Sequence, residues 1–435
     1  VILGEFLGIV NAQYRWRKTE TGRRVRTLSV SLILLRVQVP STSHNLAILL
    51  AASAIFGLSV GAYDVLFPYY LDHIGVSFES MGIIFSLAAL VIAVASVYIA
   101  SASDSRGRKW SYSLGIVLGS LSSSMVPLSR ALPVLAMAKT FREAATRFRE
   151  CLHGVLIFEF ARSRFTDFFA KSRGLEYLSE GSGQLVAGLI LAAFGFLGSF
   201  QLMGLLLLGS LSIFYIGFDE TRQPTLGRER PGLRETYSLS IPGPLKLLAI
   251  SSLLFSVGLS TSHNFIMPLF FSKKFGATVG QVSLILGLHR LSLALPLFFS
   301  GTIMRRSLRK IIILSLIYEG TAISITGLAP GLVASTTIWL THDILGASLW
   351  IPAQAVLIQH YARDQIRGRD VSKVAAIGAL GYIFGPVIAG WTSSISISAP
   401  FILSGIVVAA SGIPLLPLRE PSLEEKDALL ARAPA

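Results

Sequence analysis

Apolar blocks of roughly 18 to 28 residues recur along this chain, separated by short polar stretches, and blocks of that length leave few folds open. A helix rises 1.5 Å per residue, so about 20 residues cross a hydrocarbon core about 30 Å thick. About twelve such blocks are present, near 46–67, 79–101, 110–129, 131–158, 175–197, 199–217, 244–271, 279–303, 310–328, 332–359, 370–393 and 399–417. Within a bilayer the backbone has to satisfy its own hydrogen bonds, which a helix does. Pro68, Pro268, Pro296 and Pro386 fall inside these blocks. Neighbouring helices can satisfy the backbone groups that prolines free, so they do not argue against helix. Only 14% of the 435 residues are charged, against 52% hydrophobic, and the mean hydropathy is +0.64. That is too little charge to coat a water-soluble globule. The expected fold class is an all-α integral membrane protein.

Orientation follows from the basic residues of alternate loops, because loops rich in Lys and Arg stay in the cytoplasm. One set of loops carries Arg106, Arg108 and Lys109; Arg162, Arg164, Lys171 and Arg173; Arg305, Arg306, Arg309 and Lys310; and Arg363, Arg367 and Arg369. The other set carries little beyond Arg130, Lys273 and Lys274. Both termini are therefore expected in the cytoplasm of a protein of the cytoplasmic (plasma) membrane. The net charge of +14 is then mostly topology and calls for no nucleic-acid partner. The single cysteine, Cys151, excludes an intramolecular disulfide and a thiolate metal cluster, and no cofactor is implied.

The two halves align at an offset close to two hundred. Phe67-Pro68 matches Met267-Pro268, which places Asp64 over Asn264 and Tyr63 over His263. The charged loop Ala100 to Lys109 has a partner from Gly301 to Lys310, at an offset one larger, with Arg108-Lys109 over Arg309-Lys310. Two pseudo-symmetric six-helix bundles are expected, at 45–217 and 244–418, with a cytoplasmic linker at 218–243 and a cytoplasmic tail at 419–435. Transporters built from such repeats bind substrate near the midplane where the repeats meet. Residues 1–44 form a basic N-terminal segment with Arg15, Arg17, Lys18, Arg23, Arg24 and Arg26. It is expected to be a flexible tail or sequence upstream of a misassigned start, since no Met precedes Met81; a basic segment resting on anionic lipid is the alternative. Its opening apolar run lacks the features of a signal peptide.

On these residues the chain resembles the major facilitator superfamily over roughly residues 45 to 418. That family's loop between its second and third helices reads Gly, three residues, Asp-Arg, any residue, Gly and two basic residues. The first copy keeps Asp104, Gly107, Arg108 and Lys109, with Ala100 and Ser105 in place of the Gly and Arg. The second keeps Gly301, Arg306, Arg309 and Lys310, with Arg305 and Leu308 in place of the Asp and second Gly. Phe218-Asp219-Glu220-Thr221-Arg222 also looks like the Pro-Glu-Thr-Arg ending of the family's sixth helix. The resemblance implies a gating role for these loops. Asp104 would latch the cytoplasmic side against helix 11 and the basic residues near Arg369.

Ionisable residues at membrane depth cost several kcal/mol and usually mark a pathway. Helix 4 carries most of them. Lys139, Arg142, Glu143, Thr146, Arg149, Glu150 and His153 recur every three or four residues, which puts them on one face. Further polar groups are Asp64 on helix 1; Glu176, Glu180 and Gln184 on helix 5; His263 and Asn264 on helix 7; His289 and Arg290 on helix 8; and His342 and Asp343 on helix 10. The resemblance implies that helices 1, 4, 7 and 10 line a cavity flanked by 2, 5, 8 and 11, which suits this distribution. In the family Lys139 stands where an Arg is usual and Glu143 where a Gly is usual.

The expected substrate contacts are Lys139, Arg142, His263, Asn264, Arg290 and His342, and the expected proton carriers are Glu143, Glu180, Asp343 and Asp64. Static ion pairs, such as Arg142 with Asp343 or Lys139 with Glu180, are equally open for the same groups. His263, His289 and His342 are too few and too scattered in sequence to assign a metal site. Helix 11 holds Gly378, Gly381, Gly385, Pro386 and Gly390, a spacing that permits close packing and a bend. The Gly-Pro that accompanies drug export in the superfamily is absent from helix 5.

The expected function is secondary active transport of a small polar solute, anions among the candidates, by alternating access with proton coupling. Drug/proton antiport is the alternative within transport, and a non-transporting membrane sensor is the alternative of another class. No nucleotide-binding loop, metal-ligand cluster or nucleophile constellation is evident, so no enzyme is expected. The expected partners are the solute, protons and membrane lipid, with the protein a monomer.

Overall fold

The computed structural model describes residues 10–18, 24–32, 41–160, 165–220, 232–297, 307–363 and 366–420. Side chains are described for the same residues apart from 10–32, 41–43, 97–105, 158, 165–171, 294–295, 297 and 367–368. Gly301 and Arg306 of the expected gating loop therefore lie outside the described residues, as does the side chain of Asp104.

Within the expected N-terminal tail, β1 (Val10–Lys18) pairs antiparallel with β2 (Arg24–Leu32), Tyr14 opposite Leu28. The alternation Val-Asn-Ala-Gln-Tyr-Arg-Trp suits a strand, whose side chains alternate between faces. This hairpin is one compact unit, and the helical body from Asn45 onward is another.

Among the described residues the body is all-α, with twelve helical spans in two six-helix bundles. The first bundle comprises α1 (Ser41–His73), α2 (Phe78–Arg106), α3 (Arg108–Met125), α4 (Leu132–Phe160), α5 (165–194) and α6 (196–217). Helix runs almost unbroken from α5 into α6, and only Gly195, at φ 61° and ψ −178°, turns the chain between them. That conformation is open to glycine and costly for any residue with a Cβ. The second bundle comprises α7 (Gly243–His263 continued by Ile266–Phe275), α8 (Val279–Leu297), α9 (Leu308–Leu328), α10 (Leu332–His342, Asp343–Ala347, Ser348–Tyr361), α11 (Arg367–Ala379 and Gly381–Ile395) and α12 (Ala399–Ala410).

Six helices among the described residues are long and apolar enough to cross a membrane. They include α1, the joined α5 and α6, and α9. Large apolar side chains face outward along the body, as at Leu189, Ile216, Val333 and Ile395. Such a surface is unfavourable in water and suits lipid.

Two helices break where they meet the interior. α7 stops at His263 and restarts at Ile266. Pro268 lies four residues beyond Asn264, so it cannot donate to the Asn264 carbonyl and its ring crowds that group. α10 has a π-helical turn, Asp343–Ala347, directly after His342. Such turns insert an extra residue and recur at functional sites.

The bundles meet through α2 against α11 and α5 against α8. Contact is close because small residues stand at the crossings. A Cβ at Gly82 would come within 2.4 Å of the Pro386 carbonyl oxygen, and one at Gly188 within 2.7 Å of Gly280 Cα. The close packing expected of helix 11 is present, since a Cβ at Gly381 would lie 2.6 Å from the Leu253 carbonyl oxygen of α7. Van der Waals fit between small residues is what holds helices together where no hydrophobic drive acts.

The duplication is visible in a repeated cap. Glu220 accepts from the backbone N–H groups of Arg108 and Lys109, both at 3.0 Å, at the start of α3. Glu420 accepts from those of Leu308 and Arg309, at 2.7 and 2.9 Å, at the start of α9. A carboxylate there satisfies orphan donors and faces the positive end of the helix dipole. Arg108 is therefore equivalent to Leu308, and the offset between the loops is two hundred, one less than the match of basic residues suggests. We predict that Glu220→Ala and Glu420→Ala each lower stability in detergent by about 1 kcal/mol. The two losses should add in the double variant, as expected of separate sites. Thermal unfolding monitored by circular dichroism checks this, and a double variant no worse than either single one contradicts it.

Candidate functional site

Between the bundles lies a cavity of about 430 Å³, lined from α1, α2, α4, α5, α7, α8 and α11. Its wall carries five basic residues, Lys139, Arg142, Arg149, Arg173 and Arg290, and five acidic ones, Asp64, Glu143, Glu150, Glu176 and Glu180. The polar face of α4 expected from its spacing is the wall, with Lys139, Arg142 and Arg149 each no more than 6% exposed. Ala145 and Leu152, on the opposite face, are buried in an apolar cluster with α1 and α3.

Each charge on the wall has an opposite partner. The Lys139 ammonium donates to Glu143 at 2.5 Å and sits 4.3 Å from the centre of the Phe85 ring. Arg142 Nη2 donates to Asp64 Oδ1 at 3.1 Å, and its Nη1 reaches Thr146. Arg149 is shared between Glu176, its closer partner, and Glu180 at 3.4 Å. Arg173 holds the other oxygen of Glu176 at 2.7 Å, and Arg147 holds Glu150 at 3.2 Å. Arg290 of α8 stands 4.0 Å from Glu180 of α5, so this pair bridges the bundles.

The bundles also touch at the end that bears the α1–α2 and α7–α8 turns. There Lys273 pairs with Asp72 at 2.7 Å, the Tyr69 hydroxyl donates to the Pro268 carbonyl at 3.3 Å, and Phe85 meets Phe265. From this closed end the cavity wall extends to Glu150 and Arg173, near the α4–α5 loop.

The cavity lies between two related bundles, and the sequence shows which family such a pair belongs to. The model of the Major Facilitator Superfamily matches residues 49–341 and again 248–433. The chain belongs to the Major Facilitator Superfamily. It is a membrane transporter of small molecules by that membership. Among solved structures it is similar to a point mutant of the nucleoside transporter NupG, at TM-score 0.72 and 12% identity over 89% of this chain and 99% of that one. It is similar to the human organic anion transporter MFSD10 (TETRAN), at TM-score 0.62 and 14% identity, covering 86% and 100%. A bacterial homologue of the iron transporter ferroportin, in an inward-facing state, matches at TM-score 0.64 and 15% identity, covering 85% and 97%. At these identities the likeness is one of fold. No curated protein matches the sequence.

Within the superfamily fold, the expected substrate residues fall in two groups. Lys139, Arg142, His263, Asn264 and Arg290 line the cavity, as do Asp64, Glu143 and Glu180 of the expected proton carriers. His342 and Asp343 do not; they are 0% and 3% exposed and lie behind the wall. The static pairs expected from sequence are replaced by others: Arg142 takes Asp64 rather than Asp343, and Lys139 takes Glu143 rather than Glu180. Asp343 instead faces His289, at 3.0 Å, and His342, at 3.5 Å. His263, His289 and His342, far apart in sequence, converge on one point.

Arg149 and Glu176 belong to the site as fully as any residue expected there. Their signal was the four-residue step from Glu176 to Glu180, which presents two carboxylates to one cation. Of the expected gating residues, Gly107 has φ 98° at the entry to α3, and Arg108 pairs with Glu159 at 3.3 Å. Lys109 lies over the Tyr215 ring, and Arg309 holds the Leu416 and Leu418 carbonyls. Each of these contacts stays within its own bundle.

Removing one member of a buried pair strands the other charge, which costs about 3 kcal/mol or more. We predict a loss of that size for Arg149→Met, with more than half regained in Arg149→Met/Glu176→Leu. Detergent thermal unfolding checks it, and a double variant as unstable as the sum of both changes contradicts it.

Proposed function

We propose that this protein carries a small polar solute across the membrane by proton-coupled alternating access. The observation that carries the reading is the balanced, charge-lined cavity between two bundles, crossed by the Glu180–Arg290 pair. A volume of about 430 Å³ suits a metabolite-sized ligand. The solute exchanges its own polar groups for the internal ion pairs, so neither the loaded nor the empty cavity leaves a charge bare. Lys139, Arg142 and Arg290 offer donors for an anionic group, with the arginines able to grip it by two prongs. The dominance of charged over aromatic lining weighs against drug export.

In this reading the described contacts belong to the inward-open state, with both termini in the cytoplasm and the Asp72–Lys273 end facing outward. Glu180 is the coupling carboxylate. As the bundles rock about the α5–α8 and α2–α11 crossings, Arg290 moves away from Glu180 and a proton takes its place. The residues Asp64, Glu143 and Asp343 are secondary candidates, since their partners lie within one bundle.

The test is reconstitution into liposomes with an internal pH dye and a panel that includes nucleosides, organic anions and small peptides. One solute class should draw protons with it. Glu180→Gln should lower transport driven by a pH gradient at least about tenfold, while retaining exchange of labelled for unlabelled solute on the two sides. Full gradient-driven transport in Glu180→Gln contradicts the assignment.

A further inference from the structure

Behind the cavity wall the two helix breaks bring a set of ligand atoms together. His263 ends the first part of α7, His342 immediately precedes the π-turn of α10, and Asp343 opens that turn. His289 comes from α8. The three imidazoles each offer a nitrogen within 4.8 Å of the others. His263 Nε2 and His342 Nε2 are 3.2 Å apart. The Asp343 carboxylate is 3.0 Å from His289 Nε2 and 3.5 Å from His342 Nε2. Ligands about 2.05 Å from a tetrahedral zinc ion stand about 3.3 Å from one another. The separations of 3.0, 3.2 and 3.5 Å lie on either side of that value, and the three nitrogens as a set stand within 4.8 Å.

We propose that His263, His289, His342 and Asp343 form a binding site for a divalent first-row transition-metal ion of the zinc class. Ring orientation supports it. His342 Nδ1 faces the Trp339 carbonyl, which can only accept, so Nδ1 carries the proton and Nε2 presents a lone pair. His263 Nδ1 is 2.9 Å from the Ser262 hydroxyl, which can hold it in the same form. The 3.2 Å approach of the two Nε2 atoms calls for either a proton on His263 or a cation between them. His289 Nε2 is the second sign. It is buried and faces the Asp343 carboxylate at 3.0 Å, a carboxylate-to-imidazole approach that a shared cation can also bridge. Backbone and hydroxyl partners on the far ring nitrogen are the usual outer support of metal-bound histidine.

Packing and charge fit as well. Trp339 lies against all three rings, at 4.6, 5.4 and 4.3 Å between centres, and fixes their planes. Asp343 and the buried Glu319, which abuts the π-turn at Gly346, bring two carboxylates to the region. Three imidazoles and a carboxylate select zinc-like ions over calcium or magnesium, which prefer oxygen. His263 and His289 also line the transport cavity, which gives an ion its route in.

The inference does not depend on the transport reading. Protein purified without a histidine tag, stripped with a chelator and titrated with Zn2+ against a chromophoric chelator should bind one ion per chain. His263→Gln and His289→Gln, at the cavity side, should each weaken binding at least about tenfold. His360→Gln, outside the cluster, should not. Co2+ should give the intense visible bands of a tetrahedral site in the parent and lose them in both variants. His342 is fully buried, so the cavity-side variants carry the test, with monodispersity on size exclusion as the folding control. Absence of a stoichiometric ion, or unchanged affinity in folded His263→Gln and His289→Gln, overturns the proposal. Zinc binding without solute flux would count against the transport reading alone, and flux without zinc binding against this one alone.

Discussion

Five basic and five acidic side chains line one cavity of this protein, each with an opposite partner within reach, and the rest of the molecule is arranged around that condition. Taking a lone ion out of water costs several kcal/mol even after relaxation. Helix α4 brings Lys139, Arg142 and Arg149 inward; it pairs Lys139 with its own Glu143, and the helices that face it supply Asp64, Glu176 and Glu180 for the arginines. Among the described residues of the wall, the balance extends across the bundles at Glu180, which lies between Arg149 of its own bundle and Arg290 of the other. A cavity whose charges cancel can still admit a solute, provided the solute offers equal partners.

The two bundles repeat a solution to a smaller problem at their loop ends. Where α3 and α9 begin, Glu220 and Glu420 cap the free backbone N–H groups, and the capping residues lie two hundred positions apart like the helices they serve. Loop side chains that have diverged between the copies, such as Arg108 and Leu308, sit on this shared backbone frame. At the opposite end the bundles meet directly, through Asp72 and Lys273 and through glycine crossings that let helix backbones touch.

Much of this was legible in the sequence. The spans could be read because apolar length is a local property, and the wall of α4 because three- and four-residue spacing maps directly onto a helix face. The choice of ion-pair partners could not. Whether Arg142 meets Asp64 or Asp343 depends on how each helix is rotated and how deeply it is set, which no spacing encodes. The histidine cluster was hidden for a sharper reason. His263, His289 and His342 have no motif spacing, and they converge because α7 breaks after His263 and α10 takes an extra residue after His342. The hairpin of β1 and β2 was signalled by its alternation, yet its many arginines read as a tail.

The central claim is that the paired cavity opens alternately to each side as the bundles rock, and closure at the Asp72–Lys273 end tests it most directly. Cys151 is the single cysteine, so a Cys151→Ser background carrying Asp72→Cys and Lys273→Cys can be bridged by a short bis-maleimide. The account predicts that the unbridged double variant takes up solute in liposomes and that bridging abolishes uptake. Undiminished uptake by fully bridged protein would contradict it.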